Sequence, residues 1–275
     1  MPGKVLAIGA AAAGCAAAVC AAVGCASLLD IPGRAAEWCD RPENAHDFCD
    51  DFDHAGAGAD WQQGIMPGAG AAFDAGGSSP PNAASMTTIA EPLGGKTVVG
   101  VFRQFQSENF GHVVVAADVN FAKAQLAIEA GVEAQLGYLL VEDQDFCIGL
   151  VLAGPNTMGI VYRAGTTDCT SVANLPADAG AIVDDGGLAA FAPVGPIPNA
   201  GTWVRVQLDI KSHADKSGTV GFTMTFPGVI NPPPIPAGYL DPSGQPLVAI
   251  ASSIVGPAGA TEVLFDNVTV DFPKD

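Results

Sequence analysis

Trp203-Val204-Arg205-Val206-Gln207-Leu208-Asp209-Ile210-Lys211 alternates without a break. Val204, Val206, Leu208 and Ile210 fall on one side of an extended chain, and Arg205, Gln207, Asp209 and Lys211 on the other. A period of two with one apolar and one polar face is the pattern of a half-buried antiparallel strand. Val220, Phe222, Met224 and Phe226 repeat it against Thr223 and Thr225.

Working outward, strand-like runs dominate the chain. They are Met86–Ala90, Thr97–Phe105, His112–Phe121, Glu133–Glu142, Phe146–Leu152, Met158–Arg163, Thr219–Phe226, Leu247–Ile254 and Glu262–Phe272. Gly154-Pro155-Asn156-Thr157 reads as a turn between two of them. Residues 122–134 have room for one or two helical turns. From Pro227 to Pro246 the chain also carries Pro232, Pro233, Pro234, Pro236 and Pro242. Proline cannot serve a central strand, so this stretch is expected to be a long surface loop or an edge cover. About ten strands with loops between them predict an all-β fold, a two-sheet antiparallel sandwich.

The N-terminus carries one cation, Lys4, and no acid before Asp30. Residues 5–24 are almost all small or aliphatic and end in Ala22-Val23-Gly24-Cys25. A positive start, an apolar run and small residues describe an export signal. The small-small-Cys ending resembles the bacterial lipobox. That resemblance implies a lipoprotein signal peptide over 1–24, lipidation of Cys25, a tether over 25–37 and a folded domain over 38–275. A plain secretory signal cut near Ala26, or a retained anchor, is the alternative. Ala26 follows the Cys, and by resemblance to Gram-negative lipoproteins this leans towards the outer membrane or cell surface. Secretion is the other expectation. The lipid would make the membrane a partner.

The formal charge is −18. Such a surface repels nucleic acid phosphates, so no nucleic acid partner is expected. It is compatible with calcium, with neutral glycans or simply with solubility. Once Cys15, Cys20 and Cys25 are set aside, Cys39, Cys49, Cys147 and Cys169 remain. An even number in an exported chain predicts two disulfides. Three pairings are possible, and proximity favours Cys39–Cys49 and Cys147–Cys169. None of the spacings matches a zinc site.

Three short motifs carry a family resemblance. Phe48-Cys49-Asp50-Asp51-Phe52-Asp53 is followed by Trp61 and by Ser78-Ser79-Pro80-Pro81. Trp203-Val204-Arg205-Val206 and Phe265-Asp266-Asn267-Val268-Thr269-Val270 come later. Over roughly residues 46–272 the chain resembles concanavalin A-like (laminin G-like) jelly rolls, which implies a jelly-roll sandwich and a lectin-like or glucanase-like role. It also implies that the first and last strands lie close together. An Asp of the last strand would then join in binding calcium.

Glucanases of this fold carry acids spaced along one strand so that they share its wet face. Only Glu142-Asp143-Gln144-Asp145 is acid-rich enough to consider, and it lacks a further acid in phase. It reads as a turn. Glu129 and Glu133 read as a solvated helical turn. No Gly-x-Ser-x-Gly elbow is present, and His46, His54, His112 and His213 form no metal-spaced pair. They read as solvated loop histidines. No catalytic residue is assigned.

Calcium is the expected cofactor, with Asp51 and Asp53 (beside Asp50) and Asp266 as ligands. Asp266 sits in phase with Leu264, Val268, Val270 and Phe272. A buried carboxylate is costly unless partnered. The alternative is a β-bulge at Asp266-Asn267 that turns Asp266 outward, or hydrogen bonds from backbone amides. For a glycan, the polar and aromatic strand positions are Arg103, Gln135, Tyr138, Tyr162, Arg163 and Gln207. Trp61 and Trp203 read as structural, and Trp38 as packing near the first disulfide. The expectation is a non-catalytic, lectin-like envelope lipoprotein that binds a glycan. The alternatives are a polysaccharide hydrolase of the same fold and a purely structural envelope domain.

Overall fold

The computed structural model describes residues 38–65, 68–88, 96–106, 111–123, 136–143, 146–153, 157–164, 180–184, 187–196, 198–215, 217–225, 234–238, 245–255 and 260–274. The signal and tether expected over 1–37 lie outside them. Two 3-10 turns, Trp38–Asp40 and Pro42–Asn44, come first. The early strands are β1 (Phe48–Asp50), β2 (Gln62–Ile65), β3 (Ala69–Ala75), β4 (Ala83–Thr88), β5 (Lys96–Gln104) and β6 (His112–Lys123). The middle ones are β7 (Leu136–Asp143), β8 (Phe146–Ala153), β9 (Thr157–Ala164), β10 (Gly180–Asp184) and β11 (Gly187–Pro196). The last are β12 (Trp203–Ser212), β13 (Ser217–Met224), β14 (Ile235–Gly238), β15 (Leu247–Val255) and β16 (Thr261–Asp271).

They form two antiparallel sheets. The first has the order β14-β13-β12-β6-β16-β4-β3, with β1 also paired to β16. The second runs β10-β11-β9-β8-β7-β15-β5-β2. This is the predicted two-sheet antiparallel sandwich. All ten strands read from the sequence are present. The core lies between the sheets. β12 contributes Val204, Val206, Leu208 and Ile210, all at most 2% exposed, and β13 contributes Val220, Phe222 and Met224. From the other sheet come Val99, Val101, Val141, Ile148, Val248 and Ile250. Each such side chain contributes about 1.5–3 kcal/mol on burial.

Six strands lack a clear signal in the sequence. β1 is three residues long, and β2 is exposed throughout. β3 is mostly Ala and Gly, and β11 carries Pro193 and Pro196. β11 accommodates Pro193 at a register shift against β9. Within the proline-rich stretch, β14 holds Pro236 at the edge of the first sheet, opposite Thr219 of β13. An edge is where a residue without an N–H is tolerated. The residues around Ala122–Ala134, expected to hold a helical turn, lie largely outside the described ones.

Candidate functional site

The last strand places the chemistry. Asp266 of β16 lies opposite Asp118 of β6, and the next registered pair is Thr269 with Ala116. Three residues on β16 therefore span two on β6, which is a β-bulge. Asn267 takes the left-handed backbone, φ 49°, a conformation that Asn tolerates better than most residues. The bulge resets the alternation, so Val263 and Phe265 before it and Val268 and Val270 after it are all at 0% exposure. Asp266 is thus out of phase with the valines and faces away from the core with Asp118. The bulge that the sequence reading held as an alternative to a cation is present in the fold.

Asp266 is nevertheless fully buried, because the loop before β4 folds over it. Its Oδ2 accepts the backbone N–H of Ser79 at 2.8 Å, and its Oδ1 accepts the N–H of Asn267 at 2.8 Å. Gly77 makes the approach possible. A Cβ there would lie 2.1 Å from the Asn82 carbonyl oxygen and 2.6 Å from Asp266 Oδ2. The loop also contains the cis peptide bond Pro80-Pro81.

Proton counting defines the network further. Each serine has one hydroxyl proton. Ser78 donates its proton to Asp118 Oδ2 at 2.7 Å, and Ser79 donates its own to Asn267 Oδ1 at 2.7 Å. The Asn267 amide donates to Asp118 Oδ2 at 2.7 Å and to Ser78 Oγ at 3.0 Å. Both hydroxyl oxygens still lie 3.1–3.2 Å from Asp266 Oδ2. A proton on Asp266 would find an acceptor there. Burial is the largest influence on Asp266 and raises its carboxyl to about 6, while the N–H groups of Ser79 and Asn267 oppose the rise.

Arg205 of β12 ties this cluster to the neighbouring strands. It donates through Nη1 to the Asn267 carbonyl oxygen at 2.5 Å and through Nη2 to Thr269 Oγ1 at 3.0 Å. Nη1 also lies 3.4 Å from Asp118 Oδ1. Burial pulls the guanidinium below its ordinary value, and Asp118 opposes that. Trp38 covers the group, with the guanidinium 5.3 Å from its ring centroid. His46 stacks alongside Trp38, centroids 6.1 Å apart, and contacts Asp271 Oδ2 at 2.8 Å. His112 contacts Asp209 at 2.9 Å. His54 lies 3.8 Å from Asp50, so three of the four histidines expected in solvated loops stand beside a carboxylate.

The opening segment forms a second cluster. The Cys39–Cys49 disulfide is present, with Cα atoms 5.6 Å apart. Asp50 accepts the Phe52 N–H through Oδ1 and the Trp61 indole N–H through Oδ2, both at 2.8 Å. Asp51 accepts the Asp53 N–H at 3.2 Å and the Cys39 N–H at 3.0 Å. Asp53 accepts the Asn82 N–H at 2.7 Å. Burial raises the Asp50 carboxyl, and the Trp61 and Phe52 donors restrain it. Phe52 has φ 57° and is fully buried. Left-handed backbone costs roughly 1–2 kcal/mol, and burial of the ring offsets it.

Among the described residues, Asp50, Asp51 and His54 form the group able to hold a metal, their ligand atoms all within 4.8 Å of one another. Asp53 and Asp266 do not join that group. Asp50 and Asp51 supply four carboxylate oxygens, each also accepting one N–H, and His54 offers nitrogen. Calcium takes six to eight oxygens, more than these three residues supply.

The expected glycan contacts disperse. Arg103 of β5 stacks on Phe48 at 4.4 Å and on Phe105 at 5.6 Å, and it pairs with Asp60. It is in phase with Val99 and Val101 and so caps the core edge. Gln207 stands half-buried on β12 beside Arg205. Tyr138 lies at a register shift of β7, and Tyr162 and Arg163 lie opposite Ile148 and Cys147. The side chains of Tyr138, Tyr162, Arg163 and Cys147 are outside the described ones, as are Gln135 and Cys169 entirely. Glu142 and Asp143 end β7, and Asp143 pairs with Phe146 of β8; Gln144 and Asp145 of the acidic run lie outside the described residues. Trp61 is 5% exposed and lies 5.6 Å from Phe48 in an edge-on contact. Sequence reasoning missed Asp118 and the joining role of Arg205. The signal was present as outward polar positions on two strands, but their pairing is non-local.

No protein family matches the sequence, and no curated protein matches it. Solved structures do match the fold. An endo-β-1,4-glucuronan lyase from Trichoderma reesei aligns with TM-score 0.57 at 12% identity, over 83% of this chain and 96% of its own. A PL-14 alginate lyase from Aplysia kurodai aligns with TM-score 0.52 at 12% identity, over 77% and 90%. A legume lectin-like domain from Entamoeba histolytica aligns with TM-score 0.44 at 9% identity, over 78% and 91%.

Proposed function

We propose that this chain is a glycan-recognition protein of the cell envelope. A non-catalytic lectin-like sandwich is carried on a lipid at Cys25 through the tether that follows. The observation that carries the reading is the fold alignment with a polysaccharide-acting protein over 83% of this chain. The described carboxylates support the non-catalytic choice. Asp50, Asp51, Asp53 and Asp266 are each engaged by backbone or indole N–H groups that hold loops in place. The outer membrane or cell surface is the proposed location. Globomycin treatment during expression, with mass analysis of the mature N-terminus, tests the Cys25 lipid.

A second reading has a specific observation behind it. The alignments with the glucuronan lyase and the alginate lyase, at TM-scores of 0.57 and 0.52, make β-elimination a catalytic alternative beside the hydrolysis that the sequence held as its alternative.

A glycan array screened with and without EDTA, together with ultraviolet detection of unsaturated sugar ends, separates the readings. Binding without product supports recognition. Unsaturated product overturns the non-catalytic choice. Chelator-sensitive binding would support the calcium expectation at Asp51, Asp53 and Asp266, and binding unchanged by EDTA removes it.

A further inference from the structure

We infer that the outer face of the second sheet, where β2, β5 and β15 lie side by side, is a sugar subsite. Phe102 is the ring on which a pyranose stacks, and Gln62, Gln104 and Gln245 bond its hydroxyls. The inference rests on the glycan-recognition reading above and gives it a site.

The alternation of β5 sets the platform. Val99 and Val101 enter the core at 0% exposure, so Gly100, Phe102 and Gln104 fall on the outer face. On β15, Val248 and Ile250 enter the core, which turns Ala249 and Ala251 outward. Phe102, Leu247, Ala249 and Ala251 form an apolar cluster of their own, apart from the core. Phe102 is only half-buried in it.

The register surrounds that ring with amides on one side and a flat floor on the other. Gln62 of β2 and Ala249 of β15 flank Phe102. Two residues along β5, Gln104 donates from Nε2 to Gln245 Oε1 at 3.0 Å. All three glutamines are exposed. In the other direction Gly64, Gly100 and Ala251 stand abreast. A Cβ at Gly100 would lie 2.9 Å from that of Ala251, so this position stays bare. Phe102 reaches towards Gly64, where a Cβ would lie 3.7 Å from its Cε1.

A pyranose presents a face of C–H groups, which an aromatic ring covers, and a rim of hydroxyls. Each hydroxyl donates and accepts, and a carboxamide answers with an NH2 and a carbonyl oxygen in one plane. Phe102 also shields the Gly64 backbone, so the choice of substitution must part stacking from packing.

The full chain in detergent is titrated with cello-, laminari-, manno-, chito- and glucuronan oligosaccharides. Those that bind are then titrated against Phe102→Leu, Phe102→Tyr and Gln104→Ala. Phe102→Leu keeps an apolar cover without a ring, and Phe102→Tyr keeps the ring. Gln104 is exposed, so its variant probes the site without disturbing the fold. Phe102→Leu is expected to weaken binding about tenfold or more, Gln104→Ala about threefold or more, and Phe102→Tyr less than about threefold. Wild-type affinity in Phe102→Leu and Gln104→Ala overturns the subsite and leaves the recognition reading standing. Absence of binding to every oligosaccharide overturns the recognition reading, and the subsite with it.

Discussion

The carboxylate of Asp266 accepts the backbone N–H of Ser79 at 2.8 Å, joining the last strand to a loop 187 residues earlier. Asp266 is fully buried, and the same carboxylate also accepts the Asn267 N–H. The contact holds the Gly77–Pro81 loop over the bulge of β16. Asp266→Ala leaves two buried N–H groups without an acceptor. The expected loss is about 2–4 kcal/mol, read as a lower denaturant midpoint. An unchanged midpoint would mean that the loop is held by something else.

The same residue sets a pH dependence. Its folded-state value of about 6 lies above the ordinary 3.8. The folded form therefore binds the proton more tightly than the unfolded chain. Its stabilising contribution is fully present below about 4 and is lost as pH rises through about 6, at most about 3 kcal/mol in all. Unfolding free energies of wild type and Asp266→Asn, compared at both ends of that window, report it. Wild type should gain on the variant as pH falls. Parallel profiles would place the Asp266 pKa near its unfolded value.

Gly77 is required for space rather than for flexibility. A methyl group there meets the Asn82 carbonyl oxygen at 2.1 Å, and backbone cannot yield as a side chain does. Gly77→Ala is expected to lower stability by about 1–3 kcal/mol. Gly76→Ala, where nothing lies within 4 Å, is the control and should be near neutral. Equal melting temperatures for the two variants would contradict the placement of the loop.

Arg205 acts as a fork. It reaches Asn267 and Thr269 through different nitrogens, which a lysine ammonium cannot reproduce in one position. Arg205→Lys should lose about 1–3 kcal/mol despite keeping its charge. A chemical-denaturation curve overlaying wild type would show that charge alone suffices.

Reduction of Cys39–Cys49, or the paired Cys39→Ser and Cys49→Ser change, opens a short loop. A loss of about 2–4 kcal/mol is expected. Non-reducing peptide mapping should recover the Cys39–Cys49 link from untreated protein. Thermal scans with and without a reductant that coincide would show that the other contacts of the opening segment suffice.

The alternation of Val204 to Ile210 was sufficient to place β12, its buried face and the sandwich class, because a period of two is a local property of the chain. The close pair Cys39 and Cys49 was legible for the same reason, since short separation makes a pairing probable without knowledge of the fold. The weak strands β3, β11 and β14 were not legible, because Ala, Gly and Pro carry little local strand signal and are held by their neighbours. Asp266 shows the boundary most clearly. Its sequence phase left a calcium ion, an outward bulge or backbone-amide hydrogen bonds as alternatives. Only the pairing of β16 with β6, and the return of the Ser78-Ser79 loop from far away in the chain, chose the bulge and supplied its hydrogen bonds. Local patterns determine which residues seek the interior. Which distant groups satisfy a buried charge depends on strand order, and strand order is decided by the whole chain packing at once.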